Sequence, residues 1–229
     1  MKNIFLTLSL VSIILKANSQ QVSTVELNFH LLFGNKPLVI ADEASPLVKG
    51  DSIRFSVLRF YISGIQLFLN NSLTYSEQNS FHLIDAEDEH SMHLSFSIPG
   101  KILINKIKFN LGIDSLTNVF GAMGGDLDPT KGMYWTWQSG YINFKIEGNS
   151  FLNTTRNQEF QFHLGGYKDS FNALQVVMID VTEKGVINIY FDTQHFIGAI
   201  DLKHQNHIMS PGKEAVHLSE LAAKSFYIR

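Results

Sequence analysis

The histidines are the residues of this chain best suited to binding a transition metal, because the sequence contains nine histidines and no cysteine. Without thiolates, a transition metal would be held by imidazole, thioether or oxygen ligands. His163 is the most distinctive of the nine, since it precedes Leu164-Gly165-Gly166, where glycines let other segments approach closely. A hydrogen-bonded structural histidine and a metal ligand both fit this position, and the residues alone favour the structural role. The zinc-hydrolase motif His-Glu-x-x-His is not present.

Both tryptophans lie in an unusual segment, residues 112–148, which is rich in glycine and aromatic residues. Trp135 and Trp137 are two residues apart, so in an extended chain their side chains face the same way. One interpretation is an aromatic plug that closes one end of the core, since tryptophan is costly to expose. The other is an indole that stacks on a ligand, or is redox-active, beside a binding site.

Three aspartates in the same segment could hold a cation. Asp126 and Asp128, with Asp114 nearby, supply the carboxylate oxygens that Ca²⁺ prefers, and they lie in a glycine-rich stretch. The run lacks the ligand spacing and the closing Glu of an EF-hand, and Asp-Pro and Gly-Gly are ordinary turn sequences. Calcium at Asp126 and Asp128 is therefore a secondary hypothesis beside a plain turn.

The composition and the motifs exclude several classes of function. The formal net charge is −3, and the sequence has no basic stripe of the kind that binds nucleic acid. A Gly-x-Ser-x-Gly nucleophile elbow is absent, and the glycines within residues 121–125 are not followed by the Lys-Ser/Thr of a phosphate-binding loop. Because nothing singles out a catalytic carboxylate pair, we predict a protein that is not an enzyme.

Short segments of alternating hydrophobicity must position these residues. Residues 22–33 and 141–147 alternate between apolar and polar side chains, as half-buried strands do. Turn-forming residues separate roughly eight to ten such segments, which predicts a mostly β protein, an antiparallel β-sandwich. Ser210-Pro211, followed by apolar residues at helical spacing, predicts one short C-terminal helix over residues 211–224.

The N-terminus has the features of a cleaved secretion signal. A positive charge at Lys2 precedes an apolar stretch over residues 4–15, which is shorter than the roughly 20 residues of a transmembrane helix. Ala17 and Ser19 place small residues at the two positions that signal peptidase reads. We expect residues 1–19 to be a signal peptide and residues 20–229 to form a single exported domain, periplasmic or secreted.

A series of distinctive blocks runs through the whole expected mature chain. The blocks are residues 58–65, 83–85, 110–115, 125–129, 132–141, 162–166 and 208–212. The most specific of them are Met133-Tyr134-Trp135-Thr136-Trp137-Gln138-Ser139-Gly140-Tyr141 and Phe162-His163-Leu164-Gly165-Gly166. Together the blocks resemble the MbnP-like copper-binding protein family of bacteria.

This resemblance implies an exported β-sandwich protein that binds copper through histidine ligands, for copper acquisition or storage. In relatives of this kind a tryptophan assists the histidines after a dihaem MbnH-like enzyme has oxidised it to kynurenine. The resemblance therefore implies a copper ion and such an enzyme as partners, with no nucleic acid and no membrane span in the mature chain.

The residues that the resemblance implies as ligands can be ranked. His163 matches a family block and is the first candidate, His30 on the polar face of the first strand is the second, and Met133 is the third. A two-histidine site needs another imidazole close to His163. Trp135 and Trp137 are the candidates for a modified or stacking tryptophan. The alternative function is a metal-free binding or scaffold β-sandwich, in which the Trp-Thr-Trp block forms a stacking surface or part of the core.

Cleavage of the signal peptide is directly testable. When the full chain is expressed in a bacterium with an intact export route, the mature protein should begin at Gln20, because Ala17 and Ser19 direct cleavage after Ser19. N-terminal sequencing of the exported protein measures this. Ala17→Lys should block processing, and an exported protein that still carries residues 1–19 would contradict the assignment.

Overall fold

Alternation of apolar and polar residues produces the strands, which make up most of the secondary structure. The computed structural model describes residues 22–40, 45–46, 52–101, 103–182 and 185–229, so the expected signal peptide lies outside the described residues. In chain order the strands are β1 (Val22–Phe33), β2 (Lys36–Pro37), β3 (Ser45–Pro46), β4 (Ser52–Leu69), β5 (Ser72–Ser76), β6 (Phe81–Asp85), β7 (His93–Pro99), β8 (Lys106–Leu111), β9 (Tyr134–Trp135), β10 (Gly140–Ser150), β11 (Glu159–Gly165), β12 (Gln175–Asp180), β13 (Val186–Asp192), β14 (His207–Ile208) and β15 (Phe226–Tyr227).

Within the described part of the chain, the strands form two sheets. The smaller sheet has the order β15-β13-β1-β2, and β7 also pairs with β1. The larger sheet has the order β12-β8-β4-β10-β11-β14; β3, β5 and β6 pair with β4, and β9 pairs with β10. The mostly β prediction is confirmed. A purely antiparallel arrangement is not found, because β1–β13 and β11–β14 are parallel; these strands are not joined by hairpins, which alone would force an antiparallel pairing.

A core rich in phenylalanine joins the inner faces of the two sheets. Phe60 of β4 contacts Phe29 of β1, Phe191 of β13 and Phe226 of β15, with ring centroids 6.5, 5.8 and 5.5 Å apart. It also stacks on Phe144 of β10 at 5.9 Å. All five rings are buried. Because they come from both sheets, the sheets share one core in a sandwich-like arrangement.

The outer face of the larger sheet carries a second, smaller apolar cluster. Its members are Tyr61, Leu83, Ile113, Leu127, Met133, Trp135, Tyr141 and Ile142. Residues 112–139 cover this cluster, and we call them the cap. The hydroxyl of Tyr61 donates to the carbonyl of Asp126, and the hydroxyl of Tyr141 donates to the carbonyl of Gly121. These hydrogen bonds tie the cap to the sheet.

Short helices lie in the loops and near the C-terminus. The α-helices are α1 (Ser115–Phe120), α2 (Thr193–Gly198) and α3 (Lys213–Ala223), and the 3-10 turns are Glu89–Met92, Gly125–Leu127, Pro129–Lys131 and Asp169–Phe171. The predicted C-terminal helix is confirmed as α3, which buries Ala215, Leu218 and Ala222 in the core. It begins two residues later than predicted, after Gly212. None of the helices in the described ranges is long and apolar enough to cross a membrane.

Phe60 should be the residue whose truncation damages the core most clearly, because its ring touches both sheets. Phe60→Ala should lower the free energy of unfolding by about 3–5 kcal/mol, as expected for a buried phenylalanine. Denaturant unfolding followed by circular dichroism measures the change. Phe120→Ala, at a ring that is 74% exposed on α1, is the matched control and should change stability by less than about 0.5 kcal/mol. Equal effects of the two substitutions would contradict the shared core.

Candidate metal-binding site

His163 lies on the outer face of the larger sheet, next to a carboxylate. In β11 its neighbours Phe162 and Leu164 belong to the core, so strand alternation directs His163 to the opposite face. The residue is only 7% exposed. Its Nε2 is 2.6 Å from Oε1 of Glu147 on the adjacent strand β10. A nearly buried imidazole and a carboxylate therefore form a close pair.

The ammonium group of Lys145 approaches the same carboxylate oxygen of Glu147 as the His163 ring does. Nζ of Lys145 lies 3.3 Å from Oε1 of Glu147, and Lys145 is the register partner of His163. The same register continues to Arg59 in β4 and to Asp85 in β6. Nε of Arg59 donates to the Asp85 carboxylate at 2.7 Å. Four neighbouring strands thus place Asp85, Arg59, Lys145 and His163 in one line, which we call the charged row.

The hydrogen bond to Glu147 decides which imidazole nitrogen is available. The bond from His163 and the nearby Lys145 ammonium hold the pKa of Glu147 below its usual range, although partial burial opposes them. An ionised carboxylate only accepts hydrogen bonds, so Nε2 of His163 carries a proton, and in the neutral ring Nδ1 then has the lone pair. In the described part of the protein, Nδ1 has no hydrogen-bond partner. Histidines that bind metals are usually oriented in this way, by a carboxylate on the other ring nitrogen.

The edge strand β14 runs parallel to β11 and brings a new segment to the site. Ile208 of β14 is the register partner of Phe162. Farther along, Pro211 lies against Gly166, where an added Cβ would be 3.0 Å from Cβ of the proline. Met209 lies between these two anchor points. Its backbone therefore runs alongside the candidate histidine.

His207 falls on the same outer face as His163, and Met209 directly follows β14. Ile208 belongs to the core, so alternation within the strand directs His207 outward. Met209 is half-buried and His207 is exposed. Neither was a candidate from the sequence, although Met209 stands in the family block 208–212, which was the one signal that could have identified it.

His30 and Met133 are not brought together with His163. His30 is on β1 of the smaller sheet, where Nε2 is 2.9 Å from Oδ1 of Asn188 and the ring stacks on Tyr190 at 4.8 Å. Its chain neighbours enter the core, so the core separates the two imidazoles by more than the roughly 10 Å between packed sheets. Met133 is fully buried under the cap. Among the described residues, no group of three or more His, Cys, Asp or Glu side chains is placed to hold a metal.

The two tryptophans differ in their surroundings. Trp135 is 5% exposed and Trp137 is 64% exposed, with ring centroids 6.0 Å apart. The Trp135 ring covers Gly165, where an added Cβ would be 2.7 Å from Cζ3. Gly165 is two residues from His163, so Trp135 lies over the same outer face. Nε1 of Trp135 is buried without a hydrogen-bond partner among the residues described. Trp135 thus has the burial expected of an aromatic plug, and Trp137 has the exposure expected of an indole that stacks on a ligand.

Asp126 and Asp128 are engaged within the protein. One carboxylate oxygen of Asp126 pairs with Nζ of Lys131 at 2.6 Å, and the other accepts from the backbone N–H of Leu83 at 3.1 Å. Oδ1 of Asp128 accepts from the backbone N–H and the hydroxyl of Thr130, at 2.8 and 2.7 Å. Hydrogen bonds from Thr130 hold the pKa of Asp128 low. These contacts are those of a turn, and they do not support the calcium hypothesis.

A polar cleft of about 550 Å³ lies beside the charged row. It is lined by Arg59, Leu83, Asp85, Asp88, His90, Ser91, Leu94, Asp126, Thr130 and Lys131. Its two cations are engaged, Arg59 with Asp85 and Lys131 with Asp126.

The pair formed by His163 and Glu147 makes stability depend on pH. Because the pKa of Glu147 is lowered in the folded protein, the ionised carboxylate stabilises the fold above the usual glutamate range, and this contribution is lost as the pH falls through the lowered value. Glu147→Gln should therefore melt below the wild type at pH 7, and the difference should shrink as the pH falls below the usual glutamate value of about 4.3 and through the lowered pKa of Glu147. Thermal unfolding from pH 7 to pH 3 measures it. Glu159→Gln, on the exposed end of β11, is the control; an E147Q deficit that is constant with pH would contradict the pairing.

Both the sequence and the fold of this chain have counterparts among known proteins. The family model MbnP matches residues 22–210, most of the chain. Among solved structures, MbnP from Methylosinus trichosporium is similar, with a TM-score of 0.59 and 14% sequence identity over 78% of this chain and 78% of that chain. At this identity the likeness shows a shared fold. A search of curated proteins found no match. The chain belongs to the MbnP family, and the resemblance read from its sequence blocks is confirmed.

Proposed function

We propose that this MbnP-family protein binds copper and that Nδ1 of His163 is the first metal ligand. The observation that carries the proposal is the 2.6 Å hydrogen bond from Nε2 of the shielded His163 to Glu147. The carboxylate holds the ring in place and raises the basicity of the free nitrogen. Imidazole binds copper well, so a chain without cysteine can provide such a site.

Met209 is the second proposed ligand and His207 the third. His207 lies in β14 beside β11, and Met209 directly follows it, between the pairing of Ile208 with Phe162 and the contact of Pro211 with Gly166. A thioether is a soft ligand that selects copper in its lower oxidation state, and imidazole accepts either state. Together the three groups form a ligand set without charge.

This ligand set fits copper better than zinc or calcium. Structural zinc takes four ligands, mostly thiolates and imidazoles, and calcium takes six to eight oxygens. The described residues contain no cluster of three His, Cys, Asp or Glu side chains that could serve either ion. A soft ion held by one thioether and imidazole does not need such a cluster. Copper is the ion we propose on these grounds.

Trp135 is the residue we propose for modification by a dihaem MbnH-like partner. It covers Gly165, two residues from His163, and its Nε1 is buried without a partner in the described structure. Trp137 lies 6.0 Å away and reaches the surface. An oxidising partner would therefore approach Trp135 from the side of Trp137.

The proposal gives the protein a non-enzymatic role in copper acquisition or storage, after export to the periplasm or the medium. Family membership and the signal-like residues 1–19 support it. The ion is cargo in this role, so the site must bind it and later release it. A ligand segment at the sheet edge, such as the one that carries Met209, suits that requirement.

A metal-free binding protein is the second candidate function, favoured by the exposed Trp137. Its chain neighbour Gln138 lines a cleft of about 240 Å³, together with Gly166, Tyr167, Lys168, Phe171 and Pro211. An exposed indole next to other rings can stack on a sugar or on a peptide side chain. This function would require neither His163 nor Met209, which makes the two candidates separable by mutation.

Copper analysis of the mature protein tests the proposal. Wild-type protein should take up about one Cu(I) per chain, because a single imidazole–thioether site is proposed. His163→Ala should abolish uptake, and Met209→Leu should weaken it. Competition with a chromogenic Cu(I) chelator measures affinity, and intact mass measures conversion of a tryptophan to kynurenine.

Matched variants complete the test. His204→Ala removes a histidine whose side chain is 73% exposed, and Met178→Leu removes an exposed thioether on β12; both should bind copper as the wild type does. Wild-type protein that takes up no copper, or a His163→Ala variant that keeps full affinity for copper, would contradict the proposal. If such a protein bound a sugar or a peptide, the stacking function of Trp137 would be favoured.

A further inference from the structure

Lys145 occupies a special position beside the proposed site. Its Nζ approaches the same Glu147 oxygen that accepts the hydrogen bond from His163. The ion pair is shielded from water, with 15% of the Lys145 side chain and 21% of the Glu147 side chain exposed. Lys145 and His163 are register partners, so their side chains stand next to each other on the same face.

The other cation of the charged row does not share this role. Arg59 is engaged by Asp85 at 2.7 Å and by Glu87 at 3.2 Å. In the described structure, the one carboxylate partner of Lys145 is Glu147, and its Nζ also approaches the carbonyl of Gly132 at 3.5 Å. Lys145 is therefore the cation that balances the carboxylate beside the histidine.

The ammonium group has two effects on an ion bound at His163. It repels a divalent cation more than a monovalent one; a nearby unit charge, at an effective dielectric constant of about 20, changes their relative affinity by about tenfold or more. It also holds Oε1 of Glu147, so the carboxylate stays the partner of the imidazole and does not turn to coordinate a divalent ion. Both effects disfavour Cu(II).

We propose that Lys145 is a positioning residue that makes the His163 site selective for Cu(I) over Cu(II). The inference rests on the proposed copper function and adds to it a residue that enforces the preference for Cu(I). Lys145 acts without touching the ion, through its charge and through its hold on Glu147. The hydrocarbon stem of a lysine packs independently of its charge. A substitution that keeps the stem can therefore separate loss of the charge from loss of packing.

Neutral and charge-preserving variants of the mature protein test this role. Lys145→Met keeps the stem, Lys145→Gln keeps a hydrogen-bond donor, and Lys145→Arg keeps the charge; Lys108→Met removes a lysine of β8 as a control. Chelator competition gives the Cu(I) and Cu(II) affinities, and voltammetry gives the reduction potential. Nitrogen-15 NMR of the metal-free proteins reports whether Nε2 of His163 remains hydrogen-bonded.

Both neutral variants should raise the ratio of Cu(II) to Cu(I) affinity by about tenfold or more, and each factor of ten lowers the reduction potential by about 59 mV. Lys145→Arg and Lys108→Met should match the wild type. A ratio within about twofold of the wild type in both folded neutral variants would overturn the role of Lys145 while leaving copper binding intact. Wild-type protein that binds neither copper ion would overturn the proposed function, and this inference with it.

Discussion

The larger sheet has an apolar inner face and a polar row on its outer face, and the rest of the structure depends on this constraint. Phe60 and Phe144 fill its inner face, and the residues next to them in sequence, Arg59 and Lys145, must therefore point outward beside His163. A slip of one residue in any of these strands would exchange the two sets, so the phenylalanine core also holds the charged row in register. The candidate site thereby takes its precision from the core and not from a loop.

Half-buried charges are unfavourable unless they are paired, and this accounts for the pattern on the outer face. Arg59 is matched by Asp85 and Glu87, while Lys145 and His163 share Glu147. The pairing engages Nε2 of the imidazole and leaves Nδ1, which in the neutral ring can only accept. An acceptor without a partner on a shielded, oriented ring is what a soft metal ion would bind.

Much of the local structure was predictable because it follows from short-range periodicity. Hydrophobic patterns of period 2 and 3.6 predicted strand β1 and helix α3, and the structure places both close to their predicted bounds. The parallel pairing of β1 with β13 could not be predicted, since the two strands are far apart in the chain and no local pattern sets which strands become neighbours. The differing exposure of Trp135 and Trp137 was also beyond the pattern, because the chain turns between them instead of staying extended.

The amino-acid sequence alone was enough to identify the family and the mostly β class, and it made His163 the first candidate ligand, because each of these depends on residue types at short spacing. Tertiary structure decided the surroundings of that histidine. It placed Glu147 beside it, brought β14 alongside β11, and put His30 on the far side of the core. The physical reason is that the composition of a site built across strands depends on pairing and register, which are set by the packing of the whole core and leave no local pattern in the chain.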